Sequence, residues 1–275
     1  MEASPEAWIT TLRHSHDALR VTVEPLTPDQ LRLPSYASEW SIAQVLSHLG
    51  SGAEIFGMFL DAGLSGAEPP GRDAFPPIWQ AWNDRSPQAQ ATDALAADGS
   101  LVERFESLDA DERARLRLSL FGMDLDVTGL TRLRLREHAV HSWDIAVTRD
   151  PAATVAADAV SLLVDSIGDL AARTGKPDGK ELTALVVTTG PDRSFMLAVG
   201  ESVTLEPAGP AGPAGPAGSA YPAGTADPAD ELRALRLPAE ALIRLVYGRL
   251  DPAHTPDVDA TGVDLDDLRQ IFPGL

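Results

Sequence analysis

The stretch Leu130-Thr-Arg-Leu-Arg-Leu-Arg-Glu137-His138-Ala-Val-His141-Ser-Trp-Asp144 constrains this chain more than any other. Leu130 and Leu133 open the buried stripe of an amphipathic helix. At about 100° per residue, Glu137, His141 and Asp144 fall in the same angular sector as those two leucines. Ionisable side chains thus take over a stripe that packing would keep apolar, and burying them without partners is costly. A cation held by Glu137 and His141, which share one helix face at i and i+4, is one way to supply a partner. An exposed Glu–His pair is the plainer reading of the same spacing.

A third ligand has to come from another element. The chain has no cysteine, which excludes disulfides, thiolate ligands and a cysteine nucleophile. The histidines His14, His16, His48, His138 and His254 remain, along with carboxylates. His48 fits best: it sits mid-helix, at the edge of a stripe made by Ile42, Val45, Leu49, Ala53, Phe56 and Leu60. Gly52, one turn later, is expected to leave the space beside it empty. The alternative for His48, and for His16, is a core histidine with one hydrogen bond. His138 points about 60° from His141 on the wheel and is expected to be exposed or to support the ligands from outside. A His, Glu, His set leaves one position open on tetrahedral zinc, as catalytic sites do. Water could fill it, or a thiol whose pKa the metal lowers. Asp144 can orient His141 or His48, or cap the helix or pair with an arginine.

With 22 Lys and Arg against 41 Asp and Glu, the net charge is -19. That disfavours nucleic acid and anionic membranes as partners. The first residues lack the basic and apolar regions of a signal peptide, and no apolar run reaches membrane-spanning length, so the cytoplasm is the expected location. Helical spacing predicts a first helix over Pro5 to Val23, a capped turn at Thr27-Pro28-Asp29-Gln30 and a second helix from Ser41 to about Leu60. A third is expected from Ile78 to Leu108, then a hairpin around Phe121-Gly122, then a fourth helix capped by Thr128 and ending near Thr148. These elements make an antiparallel four-helix bundle over residues 1–150. Residues 151–275 read as a small α+β domain: a helix over Val155 to Ala172, strands at Leu182 to Thr188, Phe195 to Val199 and Val203 to Glu206, and a helix over Pro238 to Leu250. The Ala-Gly-Pro repeat at about 207–228 is expected to be a disordered loop.

Three segments carry a family resemblance. Leu26-Thr-Pro-Asp-Gln30 followed by Trp40-Ser-Ile-Ala-Gln-Val45-Leu-Ser-His48-Leu resembles the opening of DinB-like four-helix metalloproteins. Arg136-Glu137-His138-Ala-Val-His141-Ser-Trp-Asp144 resembles their second motif in its Glu-x-x-x-His form. The segment Leu242-Ile-Arg244-Leu-Val-Tyr-Gly248-Arg249-Leu250 is similar to the sterol-carrier-like C-terminal domain of mycothiol-dependent maleylpyruvate isomerases. The resemblance implies a DinB-like bundle followed by a sterol-carrier-like domain. It also implies a divalent metal, usually zinc, at His48, Glu137 and His141, with mycothiol bound as thiolate. In such isomerases the thiolate adds to the cis double bond of maleylpyruvate, the new single bond rotates, and elimination gives fumarylpyruvate. Relatives of this architecture also transfer the thiol to other electrophiles, and a non-catalytic metal-binding module is the remaining alternative. Arg249 is the candidate clamp for a substrate carboxylate, or else a helix C-terminal charge satisfying the last carbonyls. The expected partners are a small thiol and a small anionic or electrophilic substrate, in a monomer or small homo-oligomer.

Overall fold

The structure is a computed structural model that describes residues 3–37, 39–177, 179–209 and 233–274. The chain divides into two compact units, Met1–Ala159 and Val160–Leu275.

In the first unit, α1 (Pro5–Val23) starts at Ser4, whose side chain accepts from the Ala7 N–H, and it buries Ile9, Leu12, Leu19 and Val23. The short α2 (Pro28–Leu31) and the long α3 (Ile42–Ser65) each open with a complete capping box, Thr27 with Gln30 and Ser41 with Gln44. Each box satisfies two otherwise orphaned N–H groups and so fixes where its helix begins. α3 continues past Leu60 to Ser65 and stops at Gly66, which takes the left-handed conformation at φ 71°.

The single helix expected over Ile78 to Leu108 is two. α4 (Phe75–Asn83) ends at Asp84, and α5 (Pro87–Ser107) restarts with Ser86 as its cap and Pro87 in the first turn. Proline has no N–H and clashes with a preceding helical turn, so it begins a helix more readily than it continues one. A short α6 (Ala110–Arg115) precedes the hairpin. The hairpin itself, β1 (Leu118–Leu120) with β2 (Met123–Leu125), pairs Leu118 with Leu125. Phe121 and Gly122 turn it with positive φ of 53° and 79°, as a tight two-residue hairpin requires. α7 (Val127–Ala146) is capped by Asp126, which accepts from the Gly129 N–H, and not by Thr128. α1 packs on α5 and α7, and α3 packs on α4, α5 and α7. α7 thereby touches both α1 and α3.

α8 (Ala157–Leu163) crosses the division between the units. A 3-10 turn at Val164–Ser166 separates it from α9 (Ile167–Thr174), where one continuous helix was expected. The second unit holds a five-stranded sheet in the order β5-β4-β3-β6-β7. Its strands are β3 (Leu182–Thr189), β4 (Arg193–Val199), β5 (Val203–Pro207), β6 (Ala234–Pro238) and β7 (Asp259–Thr261). The β3–β6 pair is parallel and the other pairs are antiparallel. α9 lies against β5, where a Cβ on Gly168 would come within 2.2 Å of the Leu205 carbonyl. α10 (Ala239–Val246) is shorter than the helix expected to Leu250; Gly248 behind it has φ 71°. α11 (Leu265–Ile271) closes the described chain. The Ala-Gly-Pro repeat lies almost wholly outside the described residues. No helix among the described residues is long and apolar enough to cross a membrane.

Candidate metal centre

Capping fixes the phase of α3 and α7, and that phase brings His48 from the one against Glu137 and His141 from the other. His48 Nε2 lies 3.1 Å from Glu137 Oε2, and His141 Nε2 lies 3.8 Å from the same oxygen. One donor atom from each of the three residues lies within 4.8 Å of the others. All three side chains are partly exposed, so a ligand from solvent can reach them. The His48 and His141 rings meet edge to face, 4.7 Å between centroids. Trp40 flanks both, its ring 5.2 Å from His48 and 6.1 Å from His141.

His141 Nδ1 lies 2.9 Å from Asp144 Oδ2, and Asp144 is fully buried. A carboxylate can only accept, so Nδ1 carries a proton and Nε2 is the ring nitrogen that faces the cluster. Burial would raise the pKa of Glu137. The hydrogen bond from His48 and the charges of His141, His48 and Arg134 outweigh it and hold the carboxyl at about 2. The cluster therefore gathers one anionic oxygen and two imidazole Nε2 atoms at one point. Two imidazole nitrogens and a carboxylate oxygen are zinc ligand types, and three protein ligands leave one position open. The donor set fits a divalent metal.

Asp144 has a further contact: its carbonyl accepts the backbone N–H of Tyr36 at 2.9 Å, and the Tyr36 ring packs edge-on against Trp143. The segment that carries Trp40 is thus fastened to the same turn of α7 that orients His141.

A second group lies deeper and was not expected. Asp98 of α5 receives His16 Nδ1 of α1 at 2.7 Å and Arg134 Nη2 of α7 at 2.7 Å, on different oxygens. His138 Nε2 lies 2.9 Å from the oxygen that His16 uses, out of line for a hydrogen bond, while its Nδ1 meets Ser15 Oγ at 2.7 Å. Burial would raise the Asp98 pKa, yet the charges of His138 and Arg134 and the hydrogen bond from His16 hold it well below the usual carboxylate range. A guanidinium already neutralises Asp98, so a divalent cation there would meet a buried positive charge. This is a buried ion-pair network.

Two expectations are corrected here. His138, exposed in the first of its two readings, is wholly buried in this network. The space beside Gly52, read as empty, holds the Arg134 guanidinium: a Cβ on Gly52 would come within 2.9 Å of Nη1. Asp98 escaped notice although it carries the same signal as Glu137, a carboxylate in the apolar stripe of Ala94, Leu101, Val102 and Phe105. Arg249 belongs to the second unit, where its Nη1 donates to the Tyr247 carbonyl at 2.6 Å and its backbone N–H to the Arg244 carbonyl at 2.7 Å. That is the carbonyl-satisfying role named above as the alternative to a clamp.

Fold and site define a class: a helical unit that presents a histidine–glutamate–histidine cluster, with a mixed α/β unit after it. Residues 12–146 match the family model described as the mycothiol maleylpyruvate isomerase N-terminal domain. Residues 12–146 are thus a mycothiol maleylpyruvate isomerase N-terminal domain. Among solved structures the chain is similar to the crystal structure of the mycothiol-dependent maleylpyruvate isomerase, with a TM-score of 0.63 and 13% identity over 90% of each chain. It is equally similar to a histidine-to-alanine mutant of the mycothiol-dependent maleylpyruvate isomerase, with a TM-score of 0.63 and 12% identity over 90% of each chain. At such identities the likeness concerns the fold. No curated protein matches the chain in sequence.

Proposed function

We propose that this protein is a thiol-dependent metalloenzyme in which His48, Glu137 and His141 hold a divalent cation, zinc by donor type, and mycothiol is the cosubstrate. In this reading residues 1–150 form a DinB-like four-helix bundle and residues 151–275 a sterol-carrier-like domain. A cytoplasmic location, where a small thiol stays reduced, belongs to the same reading. One observation carries it: His141 has its Nδ1 proton committed to buried Asp144, which leaves Nε2 facing the Glu137 oxygen that His48 also touches.

The bound cation would supply Lewis acidity that keeps a thiol deprotonated near neutral pH. The chain's own residues do the rest. Glu137 is ionised and offsets part of the cation's charge. Asp144 holds the His141 tautomer and ring, and Trp40 walls one side of the two imidazoles. With no cysteine in the chain, the sulfur nucleophile comes from the small thiol. The reaction is cis–trans isomerisation of maleylpyruvate to fumarylpyruvate: sulfur adds to the double bond, the bond rotates, and elimination returns the thiol. Arg249 keeps its proposed role at a substrate carboxylate only by giving up the Nη1 bond to the Tyr247 carbonyl.

One observation favours a second reading, transfer of the thiol to an uncharged electrophile. Arg134, whose charge acts on Glu137, is committed to Asp98 and to the Leu49 carbonyl, and so is not available to a substrate anion. Incubating the zinc-loaded protein with mycothiol and maleylpyruvate, and following absorbance, separates the readings. Turnover supports the isomerase. Adducts with uncharged electrophiles and no turnover support the transferase. Absence of any thiol binding leaves a metal-binding module and defeats the enzyme.

A further inference from the structure

We infer that Arg134 and Asp98 are positioning residues for the metal cluster, setting the spacing between α3 and α7 at the level of its ligands. The inference rests on the metal-site reading above. Arg134 stands one turn before Glu137 on α7. Its Nη2 donates to two acceptors at once: the carbonyl of Leu49, the residue directly after His48, at 2.9 Å, and Asp98 Oδ1 at 2.7 Å. One guanidinium nitrogen therefore ties the helix of Glu137 and His141 to the backbone that carries His48.

The bridge is held in place from three sides. Asp98 anchors the guanidinium from α5, and its other oxygen is occupied by His16 of α1. Phe56, two turns after His48, lies with its ring 5.8 Å from the Arg134 guanidinium carbon. Gly52, one turn after His48, gives Nη1 its room: any Cβ there would approach within 2.9 Å. Arg134 and Asp98 are each 1% exposed, so water does not compete for these bonds. Nη2 carries two N–H groups, one for the carbonyl and one for the carboxylate.

The test is metal affinity, read by competition with a chelator and by the visible spectrum of the cobalt-loaded protein, in variants that keep all three ligands. Arg134→Lys keeps the charge, but its shorter side chain leaves Nζ short of the place that Nη2 occupies. Gly52→Ala pushes the guanidinium from the opposite side and adds a good helix former to α3, so helix stability is maintained. Both variants are expected to bind cobalt more weakly than wild type by about ten- to a hundredfold, the range known for residues that orient ligands, with a shifted ligand-field band and unchanged far-UV circular dichroism. Asp98→Asn is expected to match Arg134→Lys where it folds. Wild-type affinity and spectrum in folded Gly52→Ala and Arg134→Lys would overturn the inference. If wild type itself binds no cobalt or zinc, the metal-site reading fails first, a result distinct from equal binding by wild type and variants.

Discussion

Asp144 accepts the Nδ1 proton of His141 from one turn further along the same helix, and it does so from full burial. The carboxylate thereby decides which imidazole nitrogen is left for the cluster. Asp144→Ala leaves that proton without its acceptor and frees the ring to turn. The expected result is a metal affinity lower by about ten- to a hundredfold with one metal per chain still bound at saturation. Chelator competition measures it. Affinity equal to wild type would show that the ring is held by packing alone.

Metal binding should also be visible as stability, because a cation that binds only the folded chain stabilises it by mass action. With zinc at a hundred times its Kd, unfolding should cost about 2.7 kcal/mol more than without it. Thermal melts with zinc and with excess chelator give the comparison. The shift should vanish in Glu137→Gln, which removes the anionic ligand. A shift that persists undiminished in that variant would place the ion elsewhere.

Asp98 makes an acid-sensitive contribution whose sign follows from its depressed pKa. In the unfolded chain it takes up a proton near pH 3.9, roughly the free aspartate value. In the folded protein it resists protonation until well below that. The unfolded state then binds more protons in this window, so the contribution is complete above about pH 4 and is lost as pH falls through the folded pKa. Near neutrality Asp98→Asn leaves Arg134 buried without its counter-charge, and breaking such a pair costs about 3–5 kcal/mol. Urea unfolding of both proteins should show the gap between them narrowing from pH 5 to pH 2. A gap constant over that range would mean that Asp98 titrates normally.

Much of this site could be read in the residues because it sits on capped helices. Ser41 with Gln44 fixes the phase of α3 and hence the direction of His48, and i, i+4 spacing alone places Glu137 beside His141. Local rules failed where two signals competed. At Ser86-Pro87 the apolar period runs on while the proline stops the helix, and the proline prevails. Asp126 and Thr128 are both capping residues two positions apart, and only the backbone of the finished turn decides between them. What neutralises Asp98, His16 and Arg134 was out of reach for another reason. Their partners come from helices distant in sequence, and a polar residue in an apolar stripe does not announce who will neutralise it. The strands β6 and β7 are short, and β6 pairs in parallel with β3 across a long separation, which periodicity within a single segment does not reveal.

Gly50, two residues after His48, tests how firmly α3 is seated. A Cβ there would come within 2.2 to 2.8 Å of three ring carbons of Trp82. That ring is held: its Nε1 donates to Glu54 at 2.9 Å, the Arg85 guanidinium carbon lies 3.6 Å from its centroid, and the residue is 3% exposed. Gly50→Ala should therefore overpack the α3–α4 contact at a cost of about 1–3 kcal/mol, offset by up to about 1 kcal/mol of better helix propensity. The net effect expected is a lower melting temperature, by about 2–4 °C for each kcal/mol lost. Gly52→Ala, which meets one guanidinium nitrogen at 2.9 Å and not three ring carbons, should lower the melting temperature less. The opposite ranking of the two alanine variants would mean that Trp82 yields more easily than the guanidinium, and that the helix is held at Arg134 and not at Trp82.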